Sequence, residues 1–204
     1  MRKEALDLHR AGLFCSSMSS RWNPAKGEQE PYEKEGVVAL GLTPDLYPRA
    51  PSCIEYLIEA TDVLGPLLSQ HSRRGKLKEG TQTNKLALAT DAGAYPWHLD
   101  NLGGDDERLV TLIYYLNPGY HPGLAGRFMR ARLQSSPSGD PSPQDTIFIE
   151  PRGDRLLAFY SDELLHAVEP VHAPTADGGG EDAHRIALTI WFLGADLPKK
   201  QDGG

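Results

Sequence analysis

Cysteine is scarce in this sequence, and long apolar runs are absent from it. The 204 residues include two cysteines, Cys15 and Cys53, and no CxxC pair. One disulfide is arithmetically feasible, but no spacing favours it, so we expect a reducing, intracellular compartment. No apolar run approaches the length of a membrane span. Residues 1–14 lack the apolar core and cleavage site of a signal peptide.

Positive charge is also in short supply. The 21 lysine and arginine residues are outnumbered by 28 aspartate and glutamate residues, which gives a net charge of -7. This balance argues against a general affinity for nucleic acid or anionic membranes, because phosphate binding needs a basic face. Hydrophobic residues make up 39% of the chain, enough for one core. We therefore expect a single domain over 1–204 and a monomer, with neither nucleic acid nor membrane as a partner.

The first 80 residues predict a helical and irregular support. Residues 2–14 have apolar side chains at helical spacing among charged ones. Ser19–Gly36 is polar and broken by proline and glycine, which predicts a loop. Residues 51–71 predict the longest helix of the chain.

This longest helix carries local start and stop signals. Ser52 and Glu55 match a capping box, with Pro51 just before them. Pro66 should end or kink the helix near Leu64. An apolar stripe, expected to pack on a sheet, consists of Leu57, Ala60, Leu64 and Leu67.

Beyond residue 80 the sequence predicts β-structure. The segments are short, rich in β-branched and aromatic residues, and separated by turn residues, with no helix-length pattern between them. This favours an antiparallel sandwich or barrel over a parallel sheet. The predicted strands are 84–90, 108–116, 126–133, 145–151, 155–161, 165–171 and 185–194. Two polar stretches, 134–144 and 173–183, predict exposed loops.

A histidine and an aspartate stand two apart in "YPWHLDN", just before a predicted buried strand. Side chains at i and i+2 of a strand point to one face, so His98 and Asp100 can reach one ion. A second histidine would complete a facial set of two histidines and one carboxylate, which suits Fe(II). Alone, the pair is a weak signal in a chain with seven histidines. His166 is the best placed partner, because it lies in a strand-forming run. The other candidates are His121, His172 and His184.

The segment "HRIALTIWF" alternates between two faces. One face is uniformly apolar and must be buried, whereas the other carries Arg185, Ala187, Thr189 and Trp191. A buried arginine is costly unless it meets a carboxylate, and its planar guanidinium suits bidentate binding. Arg185 can therefore anchor an acidic ligand inside a barrel, with Thr189 adding a hydroxyl contact. The alternative is an edge-strand arginine in solvent.

Five motifs follow one another along the chain in this order: "HLDN", "RLVTLIYYLN", "IEPRGDRLLAFYSD", "HAVEPV" and "RIALTIWF". They resemble the catalytic core of the 2-oxoglutarate- and Fe(II)-dependent prolyl 4-hydroxylases, especially the cytosolic and nuclear type of the HIF prolyl hydroxylases, over about residues 82–196. The resemblance implies a mainly β fold, a double-stranded β-helix (jelly roll) supported by N-terminal helices over 1–80. It implies Fe(II), 2-oxoglutarate and O2, with ascorbate as a possible addition, and a protein or peptide substrate containing proline.

The resemblance also assigns roles by position. Three residues match the iron ligands: His98, Asp100 and His166. Arg185 matches the residue that pairs with the distal carboxylate of 2-oxoglutarate, and Tyr115 and Thr189 match further contacts to it. Three residues match positions near the substrate: Tyr95, Arg108 and Trp191.

Two positions depart from the family pattern. Thr90 stands about where the family has a tyrosine near 2-oxoglutarate, and Ala125 replaces one of two paired glycines.

Two alternative functions also stay open: the same oxygenase chemistry on another residue or a small molecule, and a non-catalytic jelly-roll binding module. The complete set of ligands and anchor counts against the module, because an inactive relative is expected to lose a ligand.

Overall fold

Antiparallel β-sheet dominates the structure, a computed structural model that describes residues 1–23, 28–90, 92–131, 146–172 and 183–195. The strands in these ranges are β1 Cys15–Asn23, β2 Glu28–Leu40, β3 Leu77–Ala89, β4 Tyr95–His98, β5 Arg108–Tyr115, β6 Phe128–Ala131, β7 Thr146–Ile149, β8 Leu156–Tyr160, β9 His166–Val168 and β10 Arg185–Gly194. All seven predicted strands are confirmed.

The strands form two sheets. The larger sheet has the order β1-β2-β3-β10-β5-β8, and the smaller sheet has the order β4-β9-β6-β7. Every pairing between these strands is antiparallel. This arrangement confirms the predicted double-stranded β-helix.

Strand β10 lies inside the larger sheet and separates two environments. Its apolar face packs in the main core against the N-terminal helices, through Ile186, Leu188, Ile190 and Phe192. Its other face lines a pocket together with residues of the smaller sheet, through Arg185, Ala187, Thr189 and Trp191. The alternation predicted from the sequence is therefore confirmed.

The helices are α1 Arg2–Arg10, α2 Pro51–Glu59 and α3 Gly65–His71, with a π turn over Ala60–Leu64 joining α2 to α3. The predicted capping box is wrong. Pro51 occupies the first helical position, so Ser52 lies inside α2. The carboxylate of Glu4 in α1 instead accepts hydrogen bonds from the backbone N–H groups of Ser52 and Cys53, at 3.1 and 3.0 Å.

The π turn over Ala60–Leu64 ends two residues before Pro66. It confirms that the regular α-helix is interrupted near Leu64, as Pro66 predicted. A π turn holds more residues than an α turn, so it rotates the side chains that follow it. Leu57 and Ala60 are buried, but Leu67 is 51% exposed. The place of Leu67 in the predicted apolar stripe is therefore wrong.

The loop predicted over Ser19–Gly36 is wrong for residues 19–23 and 28–36, which lie in β1 and β2, while residues 24–27 lie outside the described residues. Strands β1 and β2 pair along an antiparallel ladder here, with Ser19 opposite Tyr32. Hydrogen bonds between backbones do not depend on side-chain polarity, so a polar composition conceals such a ladder. Strand β2 continues into the larger sheet, where Val37–Leu40 pairs with β3.

Three further observations complete the fold. The loop predicted at 134–144 lies outside the described residues, as does 173–182. Within the described ranges, no helix has the length and apolar character needed to span a membrane. Cys15 is exposed, Cys53 is buried, and both thiols are free.

Candidate functional site

Three predicted ligands converge between the sheets. His98 ends β4 and lies opposite His166, the first residue of β9, while Asp100 follows β4 by two residues. One donor atom from each residue lies within 4.8 Å of the others. The Asp100 Oδ1 atom is 3.6 Å from Nε2 of His98 and 3.9 Å from Nε2 of His166.

Backbone carbonyls orient both histidine rings. Nδ1 of His98 is 2.7 Å from the carbonyl oxygen of Pro96, and Nδ1 of His166 is 2.8 Å from that of Leu164. A carbonyl oxygen only accepts, so each Nδ1 carries a proton and donates it. The lone pair of each ring is then on Nε2, the atom that faces Asp100.

The two oxygens of Asp100 have different surroundings. Oδ2 accepts hydrogen bonds from Oγ1 of Thr111 at 2.7 Å and from Nε1 of Trp191 at 3.1 Å. Thr111 is itself 2.9 Å from the hydroxyl of Ser161. Burial alone would raise the pKa of Asp100, but the nearby histidines and the Thr111 hydroxyl hold that pKa below its usual range. A charged carboxylate therefore presents Oδ1 to the two histidines.

This donor set fits one metal ion. Metal bonds to histidine nitrogen and carboxylate oxygen are about 2.0–2.2 Å long, so donors on one ion lie within roughly 4.4 Å of each other. Both nitrogen–oxygen distances above are shorter than this limit. Burial, with repulsion from His98, lowers the pKa of His166 to about 4. Its ring is neutral near pH 7, as a metal ligand must be.

A buried arginine faces the same pocket from the larger sheet. Arg185 is 7% exposed, and its Nε donates to the carbonyl of Gly126 at 2.9 Å. Its Nη2 lies 3.5 Å from the hydroxyl of Tyr115, which is fully buried. No acidic side chain among the described residues forms an ion pair with this guanidinium. The alternative of a solvent-exposed edge arginine is wrong, because β10 lies between β3 and β5.

The two departures from the family pattern have distinct structural settings. Thr90 lies beyond β3, and its hydroxyl donates to the carbonyl of Gly36 at 3.2 Å. Ala125 has φ 48 and ψ -131, a conformation that favours glycine. Its neighbour Gly126 is close to the anchor, since a Cβ at Gly126 would lie 3.1 Å from Cδ of Arg185.

The three residues predicted near the substrate lie at the entrance. Tyr95 and Trp191 line the pocket, and Trp191 also borders an open groove of about 520 Å³ beside it. Arg108 lines the groove, where its guanidinium pairs with Asp106 and lies 5.5 Å from the Trp191 ring. The structure thus brings all nine predicted site residues to one region.

Sequence reasoning missed three residues of this region: Lys34, Lys85 and Thr111. Lys85 alternates with leucines on β3, so the argument used for Arg185 could have found it. Thr111 is a lone hydroxyl in an apolar strand, which is a weaker signal. Lys34 had no signal, because its segment was predicted as a loop. The three other candidate histidines do not join the cluster: His121, His172 and His184.

Comparisons with known proteins agree with this geometry. The model of the 2OG-Fe(II) oxygenase superfamily matches residues 83–193. Egl nine homolog 1 of Homo sapiens is 38% identical over 122 residues, 59% of this chain and 24% of that protein. Prolyl hydroxylase EGLN3 of Homo sapiens is 33% identical over 146 residues, 70% of this chain and 53% of that protein. The chain thus spans about a quarter to a half of these relatives' lengths.

The fold is also shared with a solved structure, a prolyl hydroxylase from Trichoplax adhaerens in complex with a hypoxia inducible factor oxygen degradation domain peptide fragment. The TM-score is 0.68 at 24% identity, over 94% of this chain and 75% of that one. The chain belongs to the 2OG-Fe(II) oxygenase superfamily, which confirms the family predicted from the motifs. Enzymes of this family use Fe(II), 2-oxoglutarate and O2.

Proposed function

We propose that this chain is a 2-oxoglutarate- and Fe(II)-dependent dioxygenase that hydroxylates proline in a protein or peptide, as a prolyl 4-hydroxylase. The observation that carries the proposal is the juxtaposition of the His98, Asp100 and His166 donors with the guanidinium of Arg185 in one pocket. Within the part of the chain that the structure describes, this guanidinium has no acidic partner. A metal site alone has many uses, but a metal site facing a carboxylate anchor suits 2-oxoglutarate.

In this proposal, His98, Asp100 and His166 hold the iron through two Nε2 atoms and Oδ1. Thr111 and Trp191 fix the other oxygen of Asp100, so the carboxylate cannot turn away from the ion. With its cosubstrates bound, the iron would supply the oxidation that converts a substrate C–H bond into C–OH. One oxygen atom of O2 enters the product and the other enters succinate, which forms from 2-oxoglutarate with loss of CO2.

The anchor would hold the distal carboxylate of 2-oxoglutarate. Arg185 supplies the charge and Tyr115 a hydroxyl group, 3.5 Å from Nη2 of Arg185. Thr189, the third predicted contact, lies four residues further along the same face of β10. Burial raises the pKa of Tyr115, which keeps its hydroxyl protonated and able to donate. Apolar residues close the pocket against water and thereby strengthen these contacts: Ile113, Phe128, Val168 and Ala187.

A peptide substrate is favoured by the groove beside the pocket. It is open, and a peptide can lie along it past Trp191 and Arg108, with Tyr95 at the pocket entrance. The relatives named prolyl hydroxylase support proline as the residue that is oxidised. We retain one domain over 1–204, a monomer, and location in the cytoplasm and/or nucleus as parts of the proposal.

The proposal is tested by mixing the protein with Fe(II), 2-oxoglutarate, air and a panel of proline-containing peptides, and measuring peptide mass and succinate together. We expect one added oxygen on a proline with matched succinate. The Arg185→Ala variant should lose both products, whereas His172→Ala, which changes an exposed histidine outside the cluster, should keep them. Succinate without a modified peptide would indicate another substrate. Absence of succinate despite bound iron would favour the binding module.

A further inference from the structure

Two lysines converge at the entrance of the site. Lys34 comes from β2 and Lys85 from β3, and both line the open groove beside His98 and Asp100. The ammonium nitrogen of Lys34 lies 3.8 Å from the ring centre of Tyr95, and that of Lys85 lies 5.6 Å from the same centre. Two chain segments remote in sequence thus place their positive charges around one aromatic ring.

Neither lysine has a counter-charge among the described residues. Lys34 is only 7% exposed, yet no acidic side chain pairs with it. Glu33 and Glu35, its neighbours on β2, are exposed. The groove contains two carboxylates, and both have other partners. Asp106 binds Arg108 through both oxygens, and Asp100 belongs to the candidate metal site.

A buried ammonium group without a partner is costly, so a fold retains it only where it has a use. The cation–π contact with Tyr95 offsets part of the cost. A carboxylate that enters the groove would contact the ammonium groups of Lys34 and Lys85, which lie at the ends of flexible side chains. It would supply the negative charge that the described residues do not provide.

The position of the pair favours the substrate as the source of that carboxylate. On β10, Arg185 lies opposite Ala89, whereas Thr189 lies opposite Lys85. Lys85 is therefore four residues along the sheet from Arg185, or about 13 Å at 3.3 Å per residue. Lys85 lines the groove and also the end of the pocket that opens into it, whereas Lys34 lines the groove. We propose that Lys34 and Lys85 form a carboxylate-binding pair that selects substrates with an acidic side chain close to the residue that is oxidised. This inference rests on the proposed function.

The test uses fluorescently labelled 15-residue peptides with a central proline. Glutamate is scanned through the three positions on each side, and each peptide has a matched glutamine version. Binding to the iron-loaded protein with 2-oxoglutarate is followed by anisotropy without oxygen, so that no turnover occurs. The proteins are wild type, Lys34→Met, Lys85→Met and the control Lys78→Met, which removes a β3 lysine that pairs with Glu107 outside the groove.

We expect wild type and Lys78→Met to bind at least one glutamate peptide about tenfold more tightly than its glutamine version, equivalent to about 1.4 kcal/mol. Lys34→Met and Lys85→Met should each reduce this preference to below about threefold. The inference is overturned if wild type shows no preference, or if the preference survives in both groove variants. A rise in the Kd of 2-oxoglutarate in these variants, with peptide preference intact, would also overturn it by assigning the lysines to the cosubstrate.

Failure of the proposed function is recorded separately, by adding oxygen to the same mixtures. Glutamate preference without hydroxylation or succinate would refute the oxygenase and keep the carboxylate pair as a binding device. Hydroxylation at equal rates on glutamate and glutamine peptides would keep the oxygenase and refute the pair.

Discussion

Replacing Lys34 with methionine should make this protein more stable, and the gain should depend on pH. Burial, with repulsion from Lys85, lowers the pKa of Lys34 from 10.5 to about 7, although Asp100 attracts it. The folded chain thus binds fewer protons than the unfolded chain between about pH 7 and 10.5. The contribution of Lys34 to stability rises with pH over this range, and the penalty of its buried charge is fully present below it.

The size of the expected gain in stability follows from the lowered pKa of Lys34. A change in pKa from 10.5 to about 7 corresponds to about 5 kcal/mol, at 1.36 kcal/mol for each unit of pKa. Relaxation around a buried charge recovers part of this amount, so we expect the variant to gain about 3 kcal/mol at pH 6. Methionine has a similar length and no charge, so it can pack against Tyr95. The gain should shrink steadily as the pH rises from 7 towards 10.

Urea unfolding of both proteins at pH 6, 7, 8, 9 and 10 measures this difference. Lys78→Met is the matched control, because it removes a surface lysine whose ion pair is worth at most about 1 kcal/mol. Equal or lower stability of Lys34→Met at pH 6 would refute the reasoning, as would a gain that stays constant from pH 6 to 10. Either result would mean that the ammonium group is solvated or paired in solution.

Three further changes have defined outcomes. Ala125→Gly should raise the free energy of unfolding by about 1 kcal/mol in urea, because it relieves a backbone conformation that disfavours side chains; no gain would argue against strain there. Thr111→Val should weaken Fe(II) binding about 10–100-fold by anaerobic calorimetry, since Asp100 loses a hydrogen bond that orients it; unchanged affinity would assign Thr111 to packing alone. Glu4→Gln should cost about 1 kcal/mol at pH 7 by removing the charged cap of α2. Burial would raise the pKa of Glu4, but hydrogen bonds from Ser52 and Cys53 lower that pKa below 4.5. The cost of Glu4→Gln should therefore vanish as the pH falls through the lowered pKa of Glu4. A cost that is unchanged at pH 2 would refute the cap.

Local patterns in the sequence predicted much of the fold. In the β10 segment, residues of a uniformly apolar face alternate with residues of a mixed face, and this alternation predicted two different environments. The structure confirms both faces. The candidate ligands were predicted from the spacing of His98 and Asp100, from the motif order and from the resemblance to known enzymes, although Asp100 lies two residues beyond the end of β4. The alternation of β10 lies within one strand, where the spacing of residues fixes the direction of side chains.

Features that depend on remote pairs escaped prediction. The β1–β2 ladder is held by backbone bonds between polar stretches, and its sequence is typical of a loop. The cap of α2 comes from Glu4, far outside the helix that it stabilises. Lys34 is buried only because β2 carries it over Tyr95. No window of adjacent residues contains these relationships, since tertiary packing creates them.

The division of the site between the two sheets has a thermodynamic consequence. The candidate metal ligands His98 and His166 belong to the smaller sheet, and Arg185 belongs to the larger one. A dicarboxylate held at both ends would cross-link the sheets, and only the native state could bind it. Such linkage adds about 2.7 kcal/mol to the free energy of unfolding when the ligand is at 100 times its Kd. Occupancy of the site would then contribute to the equilibrium stability of the fold as well as to any chemistry carried out there.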